Sequence, residues 1–184
     1  MAAEFDSTNE QIDNFLRKRC LKYSQENRLQ TFIVIDPIKN TMVGFFSSTV
    51  STLNQNIKKD DGSEAVSLPY INLAYFAVNR RYQKRGIGRA LMMQFFSMCM
   101  VVYQYTGISL IYLESVAESV NFYKKLGYHL EDERKSPEMY EEYQKISKID
   151  LSNVSFPMLM RISNVEKNGY KAYSKNILPI EFES

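Results

Sequence analysis

Val78-Asn79-Arg80-Arg81-Tyr82-Gln83-Lys84-Arg85-Gly86-Ile87-Gly88-Arg89-Ala90-Leu91 is the stretch on which the reading of this chain turns. An apolar run, Tyr70–Val78, leads into it, and a long apolar pattern of helical period leaves it. The unit reads as strand, loop and helix. Glycines at 86 and 88 let backbone approach a ligand with no Cβ in the way. A helix beginning there aims unpaired N–H groups and the positive end of its dipole at whatever fills the loop. Arg80, Arg81, Lys84, Arg85 and Arg89 add five cationic side chains in ten residues. Such a unit suits a polyphosphate.

Two well-known phosphate patterns fail here. A P-loop needs Gly-x-x-x-x-Gly-Lys-Ser/Thr, which is absent, and a dinucleotide fingerprint needs a small residue where Leu91 stands. Gln83-x-x-Gly86-x-Gly88 instead resembles the pyrophosphate loop of the GNAT superfamily of N-acetyltransferases. A second segment, Glu118-Ser119-Val120-Asn121-Phe122-Tyr123-Lys124-Lys125-Leu126-Gly127-Tyr128, is similar to that family's later signature of helix, Phe-Tyr and Gly-aromatic. The resemblance covers about residues 30–130, with a last strand near 155–162. It implies an α/β (α+β) GNAT fold, a central, mixed and mostly antiparallel twisted sheet flanked by helices. One such domain would span 1–162, with a C-terminal extension at 163–184.

Working outward, Ser7-Thr8-Asn9-Glu10 has capping-box spacing with Ser7 at the N-cap. Ile12, Phe15, Leu16, Cys20 and Tyr23 then predict a helix over 8–24. Thr31–Asp36 and Thr41–Val50 flank the turn Asp36-Pro37-Ile38-Lys39-Asn40 and predict a hairpin. Residues 53–68 are polar and read as a loop. The apolar helix runs over 87–105 and stops before Gly107. Ser109–Leu113 reads as a strand, Ala117–Leu126 as a helix ended by Gly127, Tyr128–Leu130 and Ser155–Ile162 as strands. Residues 131–152 are charged, and 163–184 form a polar tail with a weak strand at 177–182.

The chain has 184 residues, enough to bury a core in one domain. A net charge of +2 is too small to imply a general nucleic-acid binder, so only local basic clusters point that way. Cys20 and Cys99 each fall on apolar helical patterns, which predicts reduced, buried thiols and a cytoplasmic protein. No apolar run approaches the ~20 residues of a membrane span, and Met1–Asp6 lacks the charge and apolar core of a signal peptide. His129 stands without metal-spaced partners, so no metal site is expected.

The resemblance implies acetyl-CoA as cosubstrate. Its pyrophosphate would lie on Gln83, Lys84, Arg85, Gly86, Ile87, Gly88 and Arg89, and its pantetheine arm along the backbone of Ala77 and Val78. Tyr123 stands where the family often places its general acid, and a phenol of pKa ~10 can protonate a departing thiolate. Tyr70–Val78 contains no acidic residue to serve as general base; Asp61 and Glu64 are the substitutes nearest in sequence. An α-amine of pKa ~8 is about 10–20% neutral at pH 7, whereas lysine at ~10.4 is below about 0.1%. A site without a strong base therefore favours an α-amine.

Phe5–Leu16 leading into Thr31–Asp36 is similar to the start of GNAT toxins of toxin–antitoxin systems, which acetylate aminoacyl-tRNA. Basic residues at 17–22, 80–89 and 124–125 would then offer a surface to RNA. The acceptor stays open between a small amine, a peptide N-terminus and an aminoacyl-tRNA. A homodimer and an antitoxin partner are compatible with the resemblance. The competing reading is a GNAT-fold regulatory protein that binds acetyl-CoA without chemistry.

Overall fold

The computed structural model describes residues 2–59, 62–131 and 155–167. Its first helices are α1 (Glu10–Lys18) and α2 (Cys20–Gln25), which replace the single helix expected over 8–24. The break falls at Arg19, whose backbone leaves helical geometry at φ −122°. The cap is displaced too. Asn9, not Ser7, accepts the amides of Gln11 and Ile12. Ser7 is drawn inward, its N–H (3.1 Å) and Oγ (2.7 Å) both donating to the buried carboxylate of Asp13.

Among the described residues six strands form one sheet: β1 (Gln30–Asp36), β2 (Thr41–Lys59), β3 (Gly62–Val78), β4 (Leu110–Val116), β5 (His129–Leu130) and β6 (Ser155–Arg161), in the order β1-β2-β3-β4-β6-β5. Only β3 and β4 are parallel, joined by α3 (Ile87–Tyr105). The expected loop at 53–68 is instead a continuation of the β2–β3 ladder, which pairs Leu53 with Leu68 and runs on to Lys59 opposite Gly62. Ladder bonds are made by backbone, so a polar hairpin arm needs no hydrophobic alternation to persist.

Two bulges shape the sheet. Val34 pairs with Gly44 and Ile35 with Met42, leaving Val43 as an extra residue on β2. Ser47 pairs with Tyr75 and Ser48 with Leu73, leaving Ala74 extra on β3. A bulge exchanges the faces to which side chains point. On β3, Ile71 and Leu73 before the bulge and Phe76 and Val78 after it therefore all meet the same core.

That core lies between the sheet and α3, with Phe95, Phe96, Met92 and Cys99 fully buried. α4 (Val120–Lys124) and α5 (Ile162–Lys167) join it through Val120 and Val165, so the first residues of the expected polar tail are helix. The opposite face carries a smaller core in which Phe5, Phe15 and Leu16 of the N-terminal segment cover Met42, Phe45 and Ala77. Phe15 stacks on Tyr75 with ring centroids 3.5 Å apart. Both cysteines are buried and unpaired, as expected.

Candidate active site

Immediately after β3, Asn79 is buried and its side chain accepts the amide of Arg81, starting a single 3-10 turn at Arg80–Tyr82. Gln83 follows. Its Nε2 donates to the carbonyls of Val78 (2.9 Å) and Ser7 (3.1 Å), which ties the loop both to the end of β3 and to the N-terminal segment. Expected to face the pyrophosphate, Gln83 thus has its amide committed to the scaffold. Lys84 (φ 58°) and Gly86 (φ 80°) then take left-handed backbone, which only glycine adopts freely. That turn directs the chain into α3, with Gly86 as N-cap.

The first intrahelical bond of α3 runs from Ala90 N to Gly86 O (3.0 Å). Helical geometry therefore gives the amides of Ile87, Gly88 and Arg89 no upstream carbonyl, and they form an anion cradle. A Cβ at Gly88 would rest at ordinary contact distance, 3.7 Å from the Phe122 ring and 3.8 Å from Val78. Gly86 is required by its backbone, whereas Gly88 is not required by crowding. Lys84, Arg85 and Arg89 are exposed around the cradle. Arg80 is held by Asp6 at 3.0 Å, while Arg81 and Arg85 line a cleft of about 250 Å³ with Lys39, Thr41 and Tyr82. In that cleft the Tyr82 hydroxyl donates to Asp36 (3.1 Å). Asp36 also accepts the amides of Lys39 and Ile38, which hold its carboxyl below the usual range, the Lys39 amide most.

Beside the loop the sheet opens. β3 and β4 are paired only from Tyr70–Leu73 to Leu110–Leu113. The parallel ladder stops where the Ala74 bulge begins, and from Glu114 to Val116 β4 continues with β6 alone. The wedge so formed leaves β3 beyond Leu73 without a β4 partner, along the edge where the Val78 carbonyl accepts Gln83. Ala77 and Val78 side chains themselves point into the two cores.

α4 seals one side of this wedge. Phe122 stacks with Phe76 of β3 (6.1 Å), and Tyr123 meets Phe76 edge-on (6.4 Å). α4 ends in a Schellman pattern, Tyr128 N to Tyr123 O and Gly127 N to Lys124 O, with Gly127 at φ 99°. The Tyr123 side chain is buried, and burial alone pushes its phenol well above its ordinary pKa of 10.0. It therefore keeps its proton at every physiological pH.

No carboxylate lies on the wedge half of β3. Asp61 lies outside the described residues, and Glu64 sits nine residues before Leu73 on the same strand, about 30 Å away along it. The carboxylate at the mouth is one the sequence reading did not single out, Glu114, the first β4 residue beyond the paired segment. It is exposed and accepts Ser155 Oγ at 2.8 Å. Its alternation with Tyr112 on one face was the available signal. The Tyr112 phenol is pushed up to about 12, chiefly by burial and then by Glu114, Glu131 and Tyr70. Among the described residues no cluster of His, Cys, Asp and Glu could hold a metal ion, and no helix is long and apolar enough to cross a membrane.

Comparison with known proteins agrees with this geometry. Residues 29–130, more than half of the chain, match the acetyltransferase (GNAT) domain. Similar solved structures include a bacterial toxin (TM-score 0.71, 23% identity, 90% of this chain and 85% of that one). AtaTR bound with AcCoA is another (0.73, 15%, 92% and 91%). So is AtaT complexed with acetyl-methionyl-tRNAfMet (0.69, 16%, 92% and 92%). The match covers both signature segments, and the chain belongs to the GNAT family of N-acetyltransferases.

Proposed function

We propose that this protein transfers the acetyl group of acetyl-CoA to an α-amine, and that the amine is that of an aminoacyl-tRNA in the cytoplasm. The observations that support the first half are the β3 edge left without β4 beyond Leu73 and the amide cradle at Ile87–Arg89: a pyrophosphate on the cradle would run its extended arm along that edge toward Tyr123, which packs on Phe76 of the same strand. Contacts of backbone amides to charged oxygens contribute about 1.5–3 kcal/mol each, so a few give micromolar binding.

Acetyl-CoA supplies an activated thioester carbonyl. In the transfer, the amine nitrogen bonds to that carbon and the carbon–sulfur bond breaks. Tyr123, neutral in its buried site, gives its phenolic proton to the departing sulfur. Glu114 at the mouth takes the proton that the amine loses. An exposed carboxylate is a weak base, and this favours an acceptor that is already partly neutral. The acetyl-methionyl-tRNA held by a structural neighbour supports the choice of acceptor, as do the exposed cations of the loop.

The test is thiol release from acetyl-CoA with charged tRNA, peptides and small amines as separate acceptors. Turnover with charged tRNA, reduced about 10²–10⁴-fold by Tyr123→Phe, is the expected result. Absence of turnover with every acceptor, with acetyl-CoA still bound, would leave the non-catalytic binding protein as the reading.

A further inference from the structure

β1 stands at the edge of the sheet, and among the described residues its outer side is unpaired. Edge strands are normally blunted by lysine, proline or a covering element, because their free N–H and C=O groups recruit other strands. Gln30–Asp36 has neither lysine nor proline. Instead four consecutive large apolar residues are half-exposed: Phe32 45%, Ile33 45%, Val34 39% and Ile35 40%, followed by Ile38 at 93% in the turn. Together these amount to a patch of roughly 500 Å², the upper range for a monomer without a partner.

The way the patch is divided identifies its occupant. Phe32 stacks on Phe46, a member of the α3-side core, whereas Thr31 accepts a hydrogen bond from Cys20 of α2. Even-numbered residues of β1 thus face α3 and odd-numbered ones face α2. A partner helix would cover one of these faces. Only another strand, continuing the sheet, brings side chains to both faces and satisfies the edge as well.

We infer that β1 is the self-association surface of this protein, pairing antiparallel with β1 of a second copy about a two-fold axis at Ile33. A two-fold perpendicular to the sheet pairs residues of equal parity. Centring on Ile33 sets Phe32 opposite Val34, Thr31 opposite Ile35, and Gln30 opposite Asp36. Apolar groups then meet apolar or β-branched ones and no like charges face each other. Centring on Val34 would set Phe32 against the Asp36 carboxylate. Both copies contribute the half-exposed apolar residues 32–35, to which the paired backbone and the flanking polar side chains add. The result is a sheet of twelve described strands running through both copies, with the two wedges outside the interface.

Sedimentation velocity of the full chain between about 1 and 100 μM tests this directly. The wild type is expected to be dimeric. Ile33→Lys and Ile33→Glu each place like charges across the axis and should weaken association at least about 100-fold. Both should keep the wild-type circular dichroism and melting temperature, because position 33 is solvent-accessible in one copy. An equimolar mixture of the two should recover dimers, since residue 33 faces residue 33. A wild type monomeric at the highest concentration would overturn the inference and leave the edge to a strand of a different protein. A dimer unaffected by either substitution, or a mixture that stays monomeric, would overturn it equally.

Discussion

A phenol buried as Tyr123 is holds its proton to higher pH than a free tyrosine, and under the proposed mechanism this governs the pH dependence of the reaction. Burial raises the folded-state value, so the acid form is present at and well above pH 10. Rate should rise as the acceptor loses its proton, level off above the α-amine pKa of ~8, and show no decline up to pH ~10. A pH–rate profile with a falling limb centred below pH 9 would remove Tyr123 from the acid role. The two loop glycines separate by a similar argument. Gly86→Ala forces a Cβ onto left-handed backbone and should cost about 1–2 kcal/mol of stability while weakening acetyl-CoA. Gly88→Ala meets only ordinary contacts and should leave stability within about 0.5 kcal/mol or raise it. Denaturant titration and calorimetric binding of acetyl-CoA to the two variants distinguish these outcomes.

Among elements, the loop from Asn79 to Gly86 owes its shape to the scaffold rather than to a ligand. Gln83→Leu removes both bonds that Nε2 makes and leaves two carbonyls without their donor. A loss of about 1–2 kcal/mol in stability is expected, with a parallel loss of acetyl-CoA affinity, and thermal melts with and without acetyl-CoA measure both. The strand–loop–helix itself was legible in the sequence because each part carries its own signal: an apolar run, a loop glycine that takes positive φ at 86, and helical periodicity that ends at Tyr105 as expected. Gly127 was legible for the same reason. The wedge was not. It depends on one skipped partner at Ala74, and an extra residue in a ladder leaves no compositional trace. The long β2–β3 arm was not legible because its polar sequence carries no apolar alternation, while the ladder that forms it is made by backbone. The N-cap moved from Ser7 to Asn9 because a tertiary partner, Asp13, competed for the serine. Glu114 escaped notice because only the end of the β3–β4 ladder makes its position special.

At the scale of the molecule, the sheet is covered on both faces, and among the described residues the smaller cover is built by the N-terminal segment. Phe15 is 2% exposed and lies against Tyr75, Phe45 and Tyr23. Phe15→Ala should therefore cost about 3–5 kcal/mol, a large share of the ~5–15 kcal/mol available to a domain of this size. Urea denaturation should show one transition at lower midpoint with unchanged slope if both cores unfold together.

The same segment touches the phosphate loop at two residues. Asp6 accepts the Arg80 amide and pairs with its guanidinium, and the Ser7 carbonyl accepts Gln83. Occupancy of the loop and order in the N-terminus are therefore thermodynamically linked, and the linkage is reciprocal. Acetyl-CoA should slow amide hydrogen exchange across residues 7–13, far outside its own footprint, and Gln83→Leu should abolish that slowing. Conversely, any macromolecule that grips α1 and pulls on residues 6 and 7 gains a handle on cosubstrate affinity without approaching the wedge.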